Sequence, residues 1–110
     1  MSEEFGLRAD VVAKIRAALT RFPEIKSAIL YGSRAKGNWK PGSDIDLTLV
    51  TEPDLPKRFL LRVSVTLDDL DLPYSFDLSL FHCIDNPNVI DHIHRVGIEF
   101  YNAEKVSSPE

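Results

Sequence analysis

The sequence predicts a single α/β domain in which helices cover a small mixed β-sheet. Helical and strand-like periodicities follow one another in the order helix, strand, turn, strand, helix, strand, helix. The chain has 110 residues, of which 44% are hydrophobic, so it is long enough for one hydrophobic core and too short for a second. We therefore expect residues 1–110 to form one domain, with flexible tails at 1–6 and 103–110.

The first predicted elements are a helix over residues 7–22 and a strand at Ser27–Tyr31. Apolar residues recur at helical spacing in the first segment, and Pro23 ends it. Ser27–Tyr31 is short and apolar, which favours a buried strand. Residues 34–43 are rich in Gly, Asn and Pro, so they predict a brief helical turn followed by a loop.

The second half of the chain repeats the alternation of strand and helix. Residues 45–49 alternate apolar and polar side chains, which predicts a strand. A helical stripe over 59–70 follows, with Asp54 as a possible N-cap, and residues 76–81 alternate again as a third strand. The remaining predicted elements are a helix from Asn86 and Pro87 to Gly97 and a final strand or extended segment at Ile98–Tyr101.

The histidines and the cysteine do not predict a metal site. His92 and His94 are two residues apart on a predicted helix, so their side chains project about 200° apart and cannot share an ion. His82 and Cys83 are adjacent at the end of the third predicted strand, where neighbours face opposite sides. Structural roles are therefore favoured for all four.

The charge balance excludes several classes of function. A net charge of −4 disfavours broad binding to nucleic acids or anionic membranes, both of which depend on positive surfaces. The single cysteine cannot form an internal disulfide or begin a zinc knuckle. The acidic N-terminus lacks the pattern of a secretory signal, and no apolar run approaches the ~18 residues that span a bilayer. We therefore expect a cytoplasmic protein.

Two carboxylates in one predicted strand require an explanation. Asp is rare in strands, yet Asp44 and Asp46 lie two residues apart on the same face. Asp77 interrupts the third strand and joins them if the two strands are neighbours. Three carboxylates on one sheet face suit Mg²⁺ or Mn²⁺ rather than zinc. Taken alone, each Asp is more simply a solvated residue on the outer face of an edge strand.

A glycine–serine turn lies just upstream of the acidic strand. At Gly32 and Ser33 a strand ends and a helical turn begins, which exposes backbone N–H groups that favour anions. Arg34 and Lys36 add local positive charge. An ordinary turn explains the Gly-Ser pair by itself, and the Walker phosphate-loop pattern is absent. The turn and Asp44, with ten residues between Ser33 and Asp44, together favour a site for phosphate and metal.

These residues resemble the DNA polymerase β-like nucleotidyltransferases. Gly32–Gly37 followed by Ser43–Leu47 is similar to the signature of the minimal, single-domain (MNT) branch of that family, and Asp77 matches its third carboxylate. The resemblance covers about residues 27–81 and shows no departure in the core signature. It implies a nucleotidyltransferase fold with a polymerase β palm-like sheet.

The resemblance also implies a reaction. Members of the family transfer a nucleoside monophosphate from ATP or another NTP to a hydroxyl acceptor and release pyrophosphate, with two Mg²⁺ ions or, alternatively, Mn²⁺. By this resemblance, Asp44 and Asp46 bridge the metals, and Asp77 holds the metal on the acceptor side and helps to deprotonate the acceptor. The residues implied to bind the nucleotide are Gly32 and Ser33, at the β- and γ-phosphates, and Arg34 and Lys36, which either bind phosphate or are solvated.

The resemblance further implies a protein partner. Minimal members commonly pair with a small helical HEPN protein as antitoxin and toxin, and some add AMP to a Tyr of the HEPN protein. We therefore expect an NTP and a HEPN-type protein as partners. Two alternatives stay open, namely an antitoxin that neutralises by contact alone, and transfer to a small molecule such as an aminoglycoside. In the second case a homodimer or a partner protein has to complete the pocket.

Overall fold

Strands and helices alternate along residues 3–106, the part of the chain that the computed structural model describes. A short 3₁₀ turn at Phe81–Cys83 is the one further helical element in that part. In chain order the elements are β1 (Glu3–Glu4), β2 (Leu7–Arg8), α1 (Ala9–Leu19), β3 (Ser27–Tyr31), α2 (Ser33–Lys36), β4 (Ile45–Val50), α3 (Phe59–Asp68), β5 (Phe76–Leu80), α4 (Pro87–Val96), β6 (Ile98–Asn102) and α5 (Ala103–Val106).

A mixed four-stranded sheet lies at the centre of the fold, in the order β5-β4-β3-β6. Strand β3 is antiparallel to both β4 and β6, whereas β4 and β5 are parallel. The parallel pair is joined through α3, since parallel neighbours need a crossover connection. The predicted mixed sheet with flanking helices is therefore confirmed, and the C-terminal segment 98–102 is a strand rather than merely extended.

One face of the sheet builds the hydrophobic core. Leu30 and Leu47 are partners across β3 and β4, and both are completely buried. Helices α1 and α3 contribute the apolar stripes that the sequence predicts, in which Ile15 and Val63 are also completely buried. Because successive side chains of a strand point to opposite faces, the polar residues that alternate with this core lie on the other face of the sheet.

Helix α4 packs against β3. The Asn86 side chain caps the helix by accepting the N–H of Asn88 at 2.9 Å, and Pro87 occupies the first helical position. The N–H of Gly97 donates to the Ile93 carbonyl at 2.7 Å and ends the helix. The predicted helix and both of its boundary signals are therefore confirmed.

The first helix is shorter than predicted at both ends, and at its N-terminal end the chain first forms a hairpin. Helix α1 spans Ala9–Leu19 rather than 7–22. Strands β1 and β2 pair antiparallel, and the two residues between them, Phe5 and Gly6, have positive φ angles of 59° and 76°. Two positive φ angles are typical of the turn that joins hairpin strands. A strand of two residues has no measurable periodicity, so this hairpin has no signal in the hydrophobic pattern.

Two local predictions are wrong. Asp54 does not cap α3, which begins at Phe59, where the apolar stripe begins, with Arg58 at the cap position and no side-chain cap bond. A turn around Pro56 intervenes, in which the Phe59 N–H donates to the Pro56 carbonyl at 3.0 Å. His82 and Cys83 do not continue β5, because the chain turns after Leu80 into the 3₁₀ turn.

Parts of both predicted tails have defined structure. Residues 3–4 pair with β2, and residues 103–106 form α5, where the Ala103 N–H donates to the Lys26 carbonyl at 2.9 Å. Residues 1–2 and 107–110 of those tails lie outside the described residues. Between residues 3 and 106 there is no helix with the length and apolar character needed to cross a membrane.

Candidate active site

Three aspartates lie where β4 and β5 begin, at the edge of the sheet face opposite the core. Asp46 and Asp77 are direct partners across the parallel strand pair, and Asp44 immediately precedes β4. Asp44 and Asp77 are exposed, whereas Asp46 is half-buried between them and the sheet. The strands that carry the acids are therefore neighbours, which is the condition on which the grouping of Asp77 with the other two depends.

The electrostatics of this group centre on Asp46. Burial, followed by the negative charges of Asp77 and Asp44, raises the pKa of the Asp46 carboxyl from 3.8 to about 6. Each of these causes disfavours the ionised carboxylate. A positive charge bound beside Asp46 would remove the repulsion between the three acids.

The donor chemistry of this group fits Mg²⁺. Carboxylate oxygens are the ligands that Mg²⁺ prefers, and Mg²⁺ commonly takes only one or two carboxylates together with substrate phosphates and water. Among residues 3–106, no three His, Cys, Asp or Glu side chains are gathered into a ready-made metal cluster. The three aspartates are therefore suited to hold ions jointly with a phosphate-bearing substrate rather than as a closed protein cage.

Gly32 brings the turn after β3 directly against Asp46. It has φ 76° and ψ −157°, a backbone conformation that is essentially confined to glycine. A Cβ atom built on Gly32 would overlap the carboxylate of Asp46. The absence of a side chain at Gly32 is therefore required twice, by the backbone angles and by the contact with the carboxylate.

Ser33 begins α2 one residue after that contact. The helix has only four residues and ends at Gly37, which has φ 90° and donates its N–H to the Ser33 carbonyl at 2.9 Å. Ser33 is half-buried, whereas Lys36 is exposed. Ser33 therefore directly follows the residue that contacts Asp46, whereas Lys36 is exposed to solvent.

Arg34 is buried beneath the turn rather than solvated. Its side chain is 3% exposed, and its guanidinium donates to the Ser43 carbonyl through Nε at 3.2 Å and Nη2 at 2.9 Å. Nη1 donates to the Phe5 carbonyl at 2.9 Å, and the aromatic rings of Trp39 and Tyr74 lie within 5.8 Å of the guanidinium carbon. Arg34 thus holds in place the residue that precedes Asp44, so the interpretation as a solvated residue is wrong.

Replacing Arg34 by Lys is expected to lower the free energy of unfolding by about 2–3 kcal/mol. A single ammonium nitrogen cannot reach both the Ser43 and the Phe5 carbonyls as the guanidinium does, so at least one half-buried carbonyl loses its partner. Denaturant unfolding measures this loss of stability. The fluorescence of Trp39, the only Trp of the chain, should shift to the red as its ring loses the guanidinium. Arg95→Lys, which alters an exposed pair with Asp91, is the control, and equal stability of the two variants would contradict this role.

Trp39 packs on the N-terminal hairpin. A Cβ atom at Gly6 would overlap its ring, and the side chain is 38% exposed. The structure therefore shows the Trp39 ring packed against the hairpin.

The polar face next to the acids contains residues that the sequence analysis did not single out. The hydroxyl of Ser79 donates to Thr48 at 2.9 Å. Burial raises the pKa of Tyr31, a hydrogen bond with Ser79 opposes the rise, and the charges of Asp77 and Asp46 add to it. Tyr31 is the partner of Asp46 across β3 and β4. Once this pairing is known, Tyr31 is recognised as lying on the same face of the sheet as Asp46.

His92 reaches the same place from α4. The Gly32 N–H donates to its Nε2 at 3.2 Å, and its ring meets the ring of Tyr31 edge to face, with centroids 6.1 Å apart. Sixty residues separate the two partners of the hydrogen bond. No local pattern in the sequence signals a contact of that range.

Comparisons with known proteins agree with this geometry. The chain matches, over residues 13–106, the family model described as "Polymerase beta, Nucleotidyltransferase". No curated protein sequence matches the chain.

Several solved structures share the fold. A chain of a toxin–antitoxin structure with AMP-PNP aligns with a TM-score of 0.67 and 20% identity, covering 86% of this chain and 76% of that one. A chain of the toxin–antitoxin pair MntA-HepT aligns at 0.63 and 17% identity, covering 90% and 76%. The structure of a tri-AMPylated Shewanella oneidensis HEPN toxin in complex with MNT antitoxin aligns at 0.62 and 17% identity, covering 87% and 73%.

Proposed function

Since the chain belongs to the polymerase beta nucleotidyltransferase family, we propose that it transfers AMP from ATP to a hydroxyl group of a partner protein. One observation supports this most strongly. Asp46, the partner of Asp77 across β4 and β5, lies against the glycine turn that ends β3, so the residues proposed for metal and for phosphate are close to one another.

The proposed reaction is an in-line displacement at phosphorus. The acceptor oxygen forms a bond to the α-phosphorus, the bond from that phosphorus to the β-phosphate oxygen breaks, and pyrophosphate leaves. Asp77, which is exposed, takes up the proton of the acceptor hydroxyl. Asp44 and Asp46 hold the metal site and orient the triphosphate. Two Mg²⁺ ions, when bound, neutralise the charge on the attacking and leaving oxygens.

The nucleotide phosphates are proposed to bind along the turn. Gly32 allows the backbone to approach closely, and Ser33 adds a hydroxyl donor for the β- and γ-phosphates. Lys36 is exposed and able to turn toward a bound phosphate. Because the guanidinium of Arg34 is bound to two carbonyl groups, we assign it to positioning of the loop before Asp44 rather than to phosphate binding.

A HEPN-type protein is the proposed acceptor, with a Tyr hydroxyl as the attacking group. The support is the shared fold with a structure of an AMPylated HEPN toxin in complex with an MNT antitoxin, and with a toxin–antitoxin structure that holds AMP-PNP. The chain would then be the antitoxin of such a pair. The cytoplasmic location inferred from the composition stays a prediction.

The test is transfer of label from α-³²P-ATP, in Mg²⁺, to a HEPN protein from the same genome. We expect label on a Tyr of that protein, and a loss of about 10²–10³-fold or more for Asp44→Asn and for Asp46→Asn. Asp54→Asn, in the exposed loop before α3, is the matched control and should retain full transfer. Absence of transfer from all four NTPs, or transfer that survives both active-site substitutions, would refute the proposal.

The same variants separate catalysis from neutralisation by contact. If the Asp44→Asn/Asp46→Asn double variant still rescues cells from the HEPN toxin as well as the wild type does, contact alone is sufficient. Label in a low-molecular-weight product when an aminoglycoside replaces the HEPN protein would instead support a small-molecule acceptor.

A further inference from the structure

We propose that His92 is a positioning residue for nucleotide binding, because it accepts the backbone N–H of Gly32 in the turn that abuts Asp46. This inference rests on the proposed function, since it assigns His92 a part in nucleotidyl transfer at the same site. His92 belongs to neither the acidic group nor the glycine–serine signature.

The Gly32–Ser33 turn has little freedom to move. It abuts Asp46, because even a Cβ atom at Gly32 would overlap that carboxylate. In addition, the Gly32 N–H donates to His92 Nε2 at 3.2 Å. A backbone N–H that is shielded from water requires an acceptor, and for the half-buried Gly32 the imidazole of His92 is that acceptor.

His92 is itself held in place by its neighbours. Its ring lies edge to face with Tyr31, at an interplanar angle of 77°. Its helix is capped by Asn86 and anchored by Ile93, which is 3% exposed. One imidazole therefore orients both the side chain that precedes Gly32 and the backbone of Gly32 itself.

The hydrogen bond with Gly32 determines which nitrogen of the His92 ring carries the proton. To accept the Gly32 N–H, Nε2 must carry no proton, so the neutral ring has its proton on Nδ1. In this arrangement Nε2 is neither a metal ligand nor a donor to phosphate. Because the Gly32 N–H is already engaged, the phosphate donors of the turn fall to Ser33 and the residues after it.

The experiment compares two substitutions at one position. His92→Phe keeps a ring against Tyr31 and removes the acceptor, whereas His92→Gln keeps an acceptor at nearly the place of Nε2. We expect the Phe variant to raise the KM and Kd for Mg²⁺-ATP about tenfold, as the loss of one hydrogen bond implies, with a smaller change in kcat. The Gln variant should restore most of the affinity. His94→Phe, an exposed position on the same helix, should leave both constants unchanged.

A spectroscopic readout distinguishes positioning from a general loss of stability. In ¹⁵N NMR of the full chain, wild-type His92 should show the Nδ1–H tautomer, and the Gly32 amide should exchange faster in His92→Phe but not in His94→Phe. If wild-type protein binds Mg²⁺-ATP and His92→Phe binds it equally well, the His92 proposal fails while the proposed function stands. If wild-type protein binds no NTP, the proposed function fails, and the Gly32 amide still reports whether the contact exists.

Discussion

Asp46→Asn is expected to stabilise the folded protein at pH 7.5 while it abolishes nucleotidyl transfer. The carboxylate is half-buried and faces the charges of Asp77 and Asp44, which together raise its pKa to about 6. A rise from 3.8 corresponds to at most about 3 kcal/mol, and partial solvation reduces it, so we expect a gain of about 1 kcal/mol. The acidic site therefore stores electrostatic strain that serves the reaction at a cost in stability.

The pH dependence of this gain follows from the direction of the shift. The folded state holds the Asp46 proton more tightly than the unfolded state does, so ionisation penalises the fold at every pH above about 6. The penalty shrinks as the pH falls through 6 and disappears below about 3.8. The stability difference between Asp46→Asn and the wild type should therefore be largest at pH 7.5 and clearly smaller at pH 5.

Denaturant unfolding at the two pH values measures the effect. Asp54→Asn, an exposed residue outside the site, should change stability little at either pH. Added Mg²⁺ should raise the Tm of the wild type by mass action and leave that of Asp46→Asn nearly unchanged. A destabilised Asp46→Asn variant at pH 7.5, or a difference that does not depend on pH, would contradict this account.

Gly32→Ala is expected to lower the free energy of unfolding by about 2–4 kcal/mol and to reduce transfer by about 10²-fold or more. Two physical terms contribute. An L-residue is strained at φ 76° and ψ −157°, and its Cβ would overlap the Asp46 carboxylate and displace it from Asp77. A displacement of about 1 Å in a catalytic group is enough for such a loss of rate.

A matched glycine separates the two terms. Gly42 has a similar φ of 88°, but a Cβ atom there would meet nothing within 4 Å. Gly42→Ala should therefore show the backbone strain alone, about 1 kcal/mol, and retain transfer. In the double variant Gly32→Ala/Asp46→Ala the overlap is relieved, so Gly32→Ala should cost less stability in the Asp46→Ala background than in the wild type. Equal effects of Gly32→Ala and Gly42→Ala on both measurements would refute the contact with Asp46.

Much of the fold could be predicted because its signals are local. The alternation in 45–49 and 76–80, the stripe in α1 and α3, and the cap at Asn86 each depend on a few neighbouring residues. The wrong predictions concern features that have no clear local signal in the sequence. The β1–β2 hairpin is too short to show a period. Asp54 does not cap α3 because a turn around Pro56 lies between them.

The candidate site could likewise be predicted only in part. Its candidate residues could be selected from residue types and spacing, because two Asp on one face of a strand and a glycine–serine turn are unusual wherever they occur. The role of Arg34 was not readable, since a guanidinium serves equally well as a phosphate ligand or as a buried donor to carbonyls. Only its contacts with Ser43 and Phe5 distinguish the two.

By itself, the sequence determined the fold class, the family resemblance and the residue types of the site, since each is a property of short segments and fixed spacings. The tertiary structure decided which of these residues contact one another. It paired Asp46 with Asp77, placed Gly32 against that carboxylate, buried Arg34 and brought His92 to the turn across sixty residues of chain. The physical reason is that strand pairing and helix packing are set by the whole core, which no local pattern encodes.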